Sequence, residues 1–180
     1  MGIDPSLQST GYAFRHHDGR VDLGTIRSGE LRGPRRLVHM RDKLEALLDR
    51  LRPTHVFYED YAMGGKGRVH HIGELGGIFK TLMYERGITV TTIAPTLLKK
   101  LIAGTGGADK PAMRAAIRTR YGLDIPNNDM ADAFALLVVS EHFYKVSAPP
   151  SHIGKSAQAF NELGKRVDTT IGARLQTIAK

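Results

Sequence analysis

The stretch Asn127-Asn128-Asp129-Met130-Ala131-Asp132 runs without interruption into Ala133-Phe134-Ala135-Leu136-Leu137-Val138. Two carboxylates three residues apart therefore open a helix that turns apolar at once. Residues at i and i+3 share a helical face, so Asp129 and Asp132 point the same way. Ala133, Phe134, Leu136, Leu137 and Val138 need burial. The helix must pack into a core and leave its acidic first turn at the edge. The helix dipole partly accounts for acids in a first turn. For this pair by itself, that explanation and a metal site carry equal weight.

The preceding chain supplies the partners. Gly2-Ile3-Asp4 reads as the end of a short strand, and residues 10–15 and 20–26 have the β-branched and aromatic content of two more. His17-Asp18-Gly19 joins them as a hairpin turn. Pro34 opens a helix with a 3.6-residue stripe of Leu37, Met40, Leu44, Leu47, Leu48 and Leu51, closed by Pro53. A brief strand over 54–59 ends in Glu59. After a glycine-rich loop, a helix spans 70–86, and Gly87 ends it before a strand over 88–93.

Gly73, Gly76 and Gly77 weaken that helix by roughly 1 kcal/mol each, which predicts close approach by another backbone, a second subunit being one source. Short helices over about 95–102 and 110–121 flank a glycine-rich turn, and the last core helix runs over about 128–144. The order β-β-β-α-β-α-β-α-α-α predicts an α/β layer fold, with three antiparallel strands first and parallel strands after. Ser147-Ala148-Pro149-Pro150-Ser151 reads as a linker. The expected division is a catalytic domain over 1–146 and a linker with a basic tail over 147–180.

Composition narrows the function. No run of 18 apolar residues spans a membrane. The absence of a basic-then-apolar leader and of any cysteine suits the cytoplasm and rules out thiolate metal sites. A formal charge of +8 favours a polyanionic partner. Against that balance stand the acids at element ends. Asp4 leaves its strand into Pro5, which stops ladder pairing. Open α/β sheets hold ligands in the crevice at such strand ends. Glu59 ends a second strand in the same way.

Singly, each acid is explained as a solvated element end. Four on elements that should meet are not. Converging carboxylates repel, so they need raised pKa values or divalent cations. Hard oxygen donors without cysteine suit Mg²⁺ or Mn²⁺, and two such ions roughly 4 Å apart suit phosphodiester hydrolysis.

Gly2-Ile3-Asp4-Pro5-Ser6 with Thr10-Gly11-Tyr12-Ala13 resembles the opening of the RuvC family of Holliday-junction resolvases. Tyr58-Glu59-Asp60 resembles that family's second acidic strand end. Asp129-Met130-Ala131-Asp132-Ala133 resembles its terminal Asp-x-x-Asp-Ala, and Gly104 to Lys110 its glycine-rich segment ending in lysine. The resemblance covers about residues 1–145. It implies a ribonuclease-H-like mixed sheet flanked by helices, a homodimer, and Mg²⁺-dependent nicking of two opposed strands at a four-way DNA junction. It also implies that Asp4, Glu59, Asp129 and Asp132 are metal ligands and that Lys110 lies near the scissile phosphate.

The chain departs from the family pattern in four places. Ser6 stands where glycine is usual, and fewer apolar residues precede Gly2. Ala62 holds the place of an aromatic that wedges into the junction, leaving Tyr61, one position early, as the candidate wedge. The tail has no counterpart, and compact variants of this kind are often phage-encoded.

Basic residues fit the same reading. Lys66 and Arg68 follow Glu59 in the glycine-rich loop, and Lys99 and Lys100 precede the glycine-rich turn. Lys110, Arg114 and Arg118 form an i, i+4, i+8 stripe without an acid. A solvated face is the plain explanation, and contact with a DNA backbone the one that fits an acidic neighbour better. Other functions stay open: a nuclease of the same fold acting on forks, flaps or RNA–DNA hybrids, a junction binder that does not cut, and an actin-like ATPase, whose first phosphate loop Asp4 and Gly11 faintly resemble.

Overall fold

The computed structural model describes residues 1–61 and 69–144. Ten elements follow in the expected order: β1 (Gly2–Asp4), β2 (Ser9–Arg15), β3 (Val21–Arg27), α1 (Gly33–Leu51), β4 (His55–Glu59), α2 (Val69–Glu85), β5 (Thr89–Ile93), α3 (Pro95–Ala103), α4 (Lys110–Tyr121) and α5 (Asn128–Phe143). Their spatial order in one sheet is β3-β2-β1-β4-β5. β1 pairs antiparallel with β2, and β2 with β3, whereas β4 lies parallel to both β1 and β5. The 3-residue β1 is thus the centre of the sheet. Its neighbours on both sides supply the ladder that so short a strand cannot supply alone.

Each boundary has a local cause. Gly19 adopts φ +87° in the β2–β3 turn, where His16 N–H donates to Arg20 O at 2.8 Å. α1 ends two residues before Pro53: Arg52 takes the left-handed region (φ 49°), and its N–H donates to Leu48 O. Gly87, at φ +66°, closes the turn after α2. Asp109 and Asn127 cap α4 and α5 by accepting from Ala112 N–H (2.8 Å) and Met130 N–H (3.1 Å).

Side chains alternate across a strand, and the two cores show which face each occupies. Met1, Ile3, Val56 and Tyr58 pack with Met40, Leu44, Leu75 and Phe79 of α1 and α2. Ala13, Phe57 and Ile93 pack on the other side with α3, α4 and α5. α5 lies across β1, β2 and β4, and α3 and α4 cover its outer side. That double cover explains why Ala133 through Phe143 are all buried, Ser140, Glu141 and His142 included. Glu141 is compensated by the Arg15 guanidinium, which contacts both carboxylate oxygens, Nη2 to Oε2 at 3.1 Å.

The expectation of a close backbone is corrected at Gly76: a Cβ there would collide with the Tyr61 ring and hydroxyl, so a side chain of the same chain fills that space, whereas a Cβ at Gly73 or Gly77 would meet no other part of this chain within 4 Å among the described residues. No helix among the described residues is long and apolar enough to cross a membrane. Lys66 and Arg68, the linker and the basic tail lie outside the described residues.

Candidate active site

Strand alternation already assigns a direction to the acids. Ile3 faces α1 and α2, so its neighbours Gly2 and Asp4 face α5. Phe57 faces α5, and so does Glu59 two residues on. β1 and β4 are adjacent and parallel, with Ile3 opposite Tyr58, so both carboxylates leave the sheet at the same end and on the same side. α5 enters over that end, and its first turn brings Asp129 and Asp132.

The electrostatics register the convergence. Asp4 is pushed well above the usual carboxylate range, first by burial and then by the charges of Glu59, Asp132 and Asp129, with Lys110 opposing. Glu59 is raised to about 7 by burial and by Asp132, against Lys99 and Lys110. Asp132 is raised by burial, with Lys110 and Lys99 lowering it and Asp129 raising it. Four carboxylates thus share one recess, and two lysines, from α3 and from the first position of α4, face it. Among the described residues no three carboxylates or histidines close into a group that could grip an ion directly. In charge and donor type the recess nonetheless fits a hard divalent cation, which would relieve the repulsion that raises Asp4.

The loop after Asp4 is held by a reciprocal pair. Buried Thr10 donates its hydroxyl to Ser6 O at 2.9 Å and accepts from Ser6 N–H at 3.1 Å. On the β4 side, Asp60 N–H donates to Ile93 O at 2.8 Å and extends the ladder past Glu59.

The other sequence candidates divide. Lys99 is half-buried, and its charge acts on Glu59 and Asp132, which places it beside the acids. Lys100, Lys110 and Arg118 are exposed. Arg114 directs Nη1 to Pro126 O at 2.9 Å, bracing the loop that leads to Asn127 and α5. The Tyr61 ring sits against Gly76 with the Lys80 ammonium 5.0 Å from its centroid, and the same ammonium is 5.3 Å from the Tyr58 ring. Sequence reasoning missed Gly2 and Gly11, whose lack of a side chain admits α5. Part of their signal was there to see: Gly11 and Ala13 are small residues at alternate positions on one strand face.

A sheet of three antiparallel strands continued by parallel ones, with acids from β1, β4 and a crossing helix at one end, defines a ribonuclease-H-like domain. Comparison with known proteins narrows this class. A family model for the crossover junction endodeoxyribonuclease RuvC matches residues 1–140. The RuvC of Chloroflexus aggregans is 31% identical over 146 residues, covering 77% of this chain and 89% of the relative. The Zymomonas mobilis RuvC is 28% identical over 152 residues, covering 80% and 90%. Thermus thermophilus RuvC in complex with a Holliday junction substrate has the same fold, with a TM-score of 0.65 at 23% identity over 80% of this chain and 92% of that one. The chain belongs to the RuvC family of crossover junction endodeoxyribonucleases.

Proposed function

We propose that this protein resolves four-way DNA junctions as a homodimer by nicking two opposed strands, with Asp4, Glu59, Asp129 and Asp132 holding Mg²⁺ at each site. What supports this is the convergence of Asp4 from β1, Glu59 from the adjacent parallel β4 and Asp132 from the start of α5, where burial and neighbouring charge raise all three acids against Lys99 and Lys110. Acidic side chains crowded that closely, with only two lysines opposing them, suit a divalent ion. Two ions per site, with Mn²⁺ able to replace Mg²⁺, match four oxygen-donor side chains. When bound, such ions supply Lewis-acid polarisation of the scissile phosphate and a lower pKa for the attacking water.

The protein's own groups position and balance charge. Asp4 and Glu59 are fixed by the sheet, and Asp129 and Asp132 by a capped helix. Lys99 and Lys110 partly offset the elevation of the acids and meet the incoming phosphate. Water forms the new P–O bond in line while the P–O3′ bond breaks. The water proton passes to the leaving oxygen, giving a 5′-phosphate and a 3′-hydroxyl. Lys66, Arg68, Lys100 and Arg118 are assigned to the DNA backbone, whose contacts orient the substrate without reading sequence. For Tyr61 to wedge into a junction it must first leave its seat on Gly76. Two-fold symmetry sets the paired sites on opposed strands and makes the nicks ligatable.

The test is cleavage of labelled four-way junctions, forks, flaps and linear duplex at fixed salt with Mg²⁺. The junction should be cut in preference, symmetrically. Asp4→Asn and Asp129→Asn should each lose at least about 10²–10³-fold in cleavage while still shifting the junction in a gel. Unimpaired cleavage by these variants, or equal cleavage of linear duplex, refutes the assignment.

A further inference from the structure

Gly11 and Gly2 both have ordinary negative φ, so neither position requires glycine for its backbone conformation. Space requires it. A Cβ on Gly11 would lie 2.0 Å from the Asp129 carbonyl oxygen and 2.5 Å from its carbon. One on Gly2 would lie 2.1 Å from Ala133 O and 2.6 Å from Leu137 N. Residues 129 and 133 are one helical turn apart on one stripe, so α5 rests backbone to backbone on the sheet at two points. Backbone cannot swing aside as a side-chain tip can.

The two contacts differ in what they adjoin. Gly11 is the register partner of Asp4 across the β1–β2 ladder, and the atom it admits belongs to Asp129. A single missing side chain thus lies between two members of the acid cluster contributed by different elements.

We infer that Gly11 is a positioning residue for metal binding: its empty side-chain position sets the separation between Asp4 on β1 and the Asp129–Asp132 turn of α5. An alanine there moves α5 outward by about 1.4 Å to restore ordinary contact at 3.4 Å, and Asp129 moves with it while Asp4 stays in the sheet. Displacements near 1 Å cost catalytic sites on the order of 10²-fold. The inference rests on the metal-nuclease reading above, and its primary readout is metal binding rather than cleavage.

The experiment compares the unmodified chain, Gly11→Ala, Gly2→Ala, Asp129→Glu and the double variant Gly11→Ala/Asp129→Glu. Mn²⁺ binding is measured by calorimetry, folding by circular dichroism, and junction cleavage across a metal titration. Gly11→Ala should stay folded, bind the metal at least about tenfold more weakly, and need correspondingly more metal to cleave. The double variant, whose glutamate is one methylene of about 1.5 Å longer, should bind more tightly than either single variant. Gly2→Ala, one turn further along α5, should shift metal binding less than Gly11→Ala.

A folded Gly11→Ala with unchanged metal affinity overturns the inference, as does a double variant weaker than both singles. Should Gly11→Ala fail to fold, Asp129→Glu alone decides: an unchanged metal affinity despite the longer reach means that the separation of Asp4 and Asp129 does not govern binding, and overturns the inference as well. Metal binding by an unmodified chain that cuts no junction would sink the nuclease reading and leave the positioning role standing.

Discussion

Replacing Glu59 by glutamine should stabilise the metal-free protein at alkaline pH while abolishing its catalysis. Burial and the charge of Asp132 raise Glu59 from 4.5 to about 7. Below pH 4.5 the folded and unfolded chains both hold this proton, and it contributes nothing. Between pH 4.5 and 7 the unfolded chain ionises while the fold keeps the proton, so stability falls as pH rises. Above 7 the full penalty is present. At 1.36 kcal/mol per pKa unit, the shift amounts to about 3 kcal/mol. A glutamine of the same shape carries no charge and removes it.

For a chain of this size, about 3 kcal/mol corresponds to roughly 6–12 °C in Tm. Thermal unfolding in EDTA should therefore show the Glu59→Gln variant level with the parent near pH 4.5 and higher by that amount at pH 8. Added Mg²⁺ should raise the parent at pH 8 and leave the variant nearly unmoved, because the ion binds the folded carboxylates and not the unfolded chain. A variant whose advantage is the same at both pH values, or absent at pH 8, would refute the claim that Glu59 sits in a recess crowded with other acids.

Two further substitutions test residues away from the acids. Arg15→Ala leaves Glu141 buried without its guanidinium, and denaturant unfolding should show a loss of about 3 kcal/mol, whereas a loss below about 1 kcal/mol would mean that the pair behaves as a surface salt bridge. Arg118→Ala should weaken junction binding uniformly and lower the salt slope by about 1. Arg114→Ala should instead lose about 1 kcal/mol of stability through the freed Pro126 carbonyl, and an Arg114→Ala salt slope reduced like that of Arg118→Ala would contradict the bracing role.

Much of this was legible before any coordinates. The ten elements follow from local causes: the leucine stripe of α1, the alternation in β2, and caps such as Asp109 and Asn127. The acids stood out because each ends an element, and strand ends of α/β sheets are where ligands bind. Gly76 was misread, because a missing side chain in a sequence does not say whether backbone or a side chain such as Tyr61 will occupy its space. The hydrogen bond from Arg114 to Pro126 gave no sign, because an i, i+4 stripe shows which face a residue shares and not what faces it. Glu141 and His142 carried no sign of burial, since polar residues near a helix end usually face water.

What the amino-acid order determines alone is the succession of elements and the kind of chemistry at their ends, because hydrogen bonds four residues apart, side-chain alternation and turn propensity all act within a few residues. Only the folded chain decides that β1 lies at the centre of the sheet, that Asp4 and Glu59 share the face crossed by α5, and that Gly2 and Gly11 let that helix touch the strands. Those facts depend on Ile3 pairing with Tyr58 and on Gly2 and Gly11 meeting Ala133 and Asp129, separations that no local periodicity reaches, and at the glycines packing of backbone against backbone sets the distance.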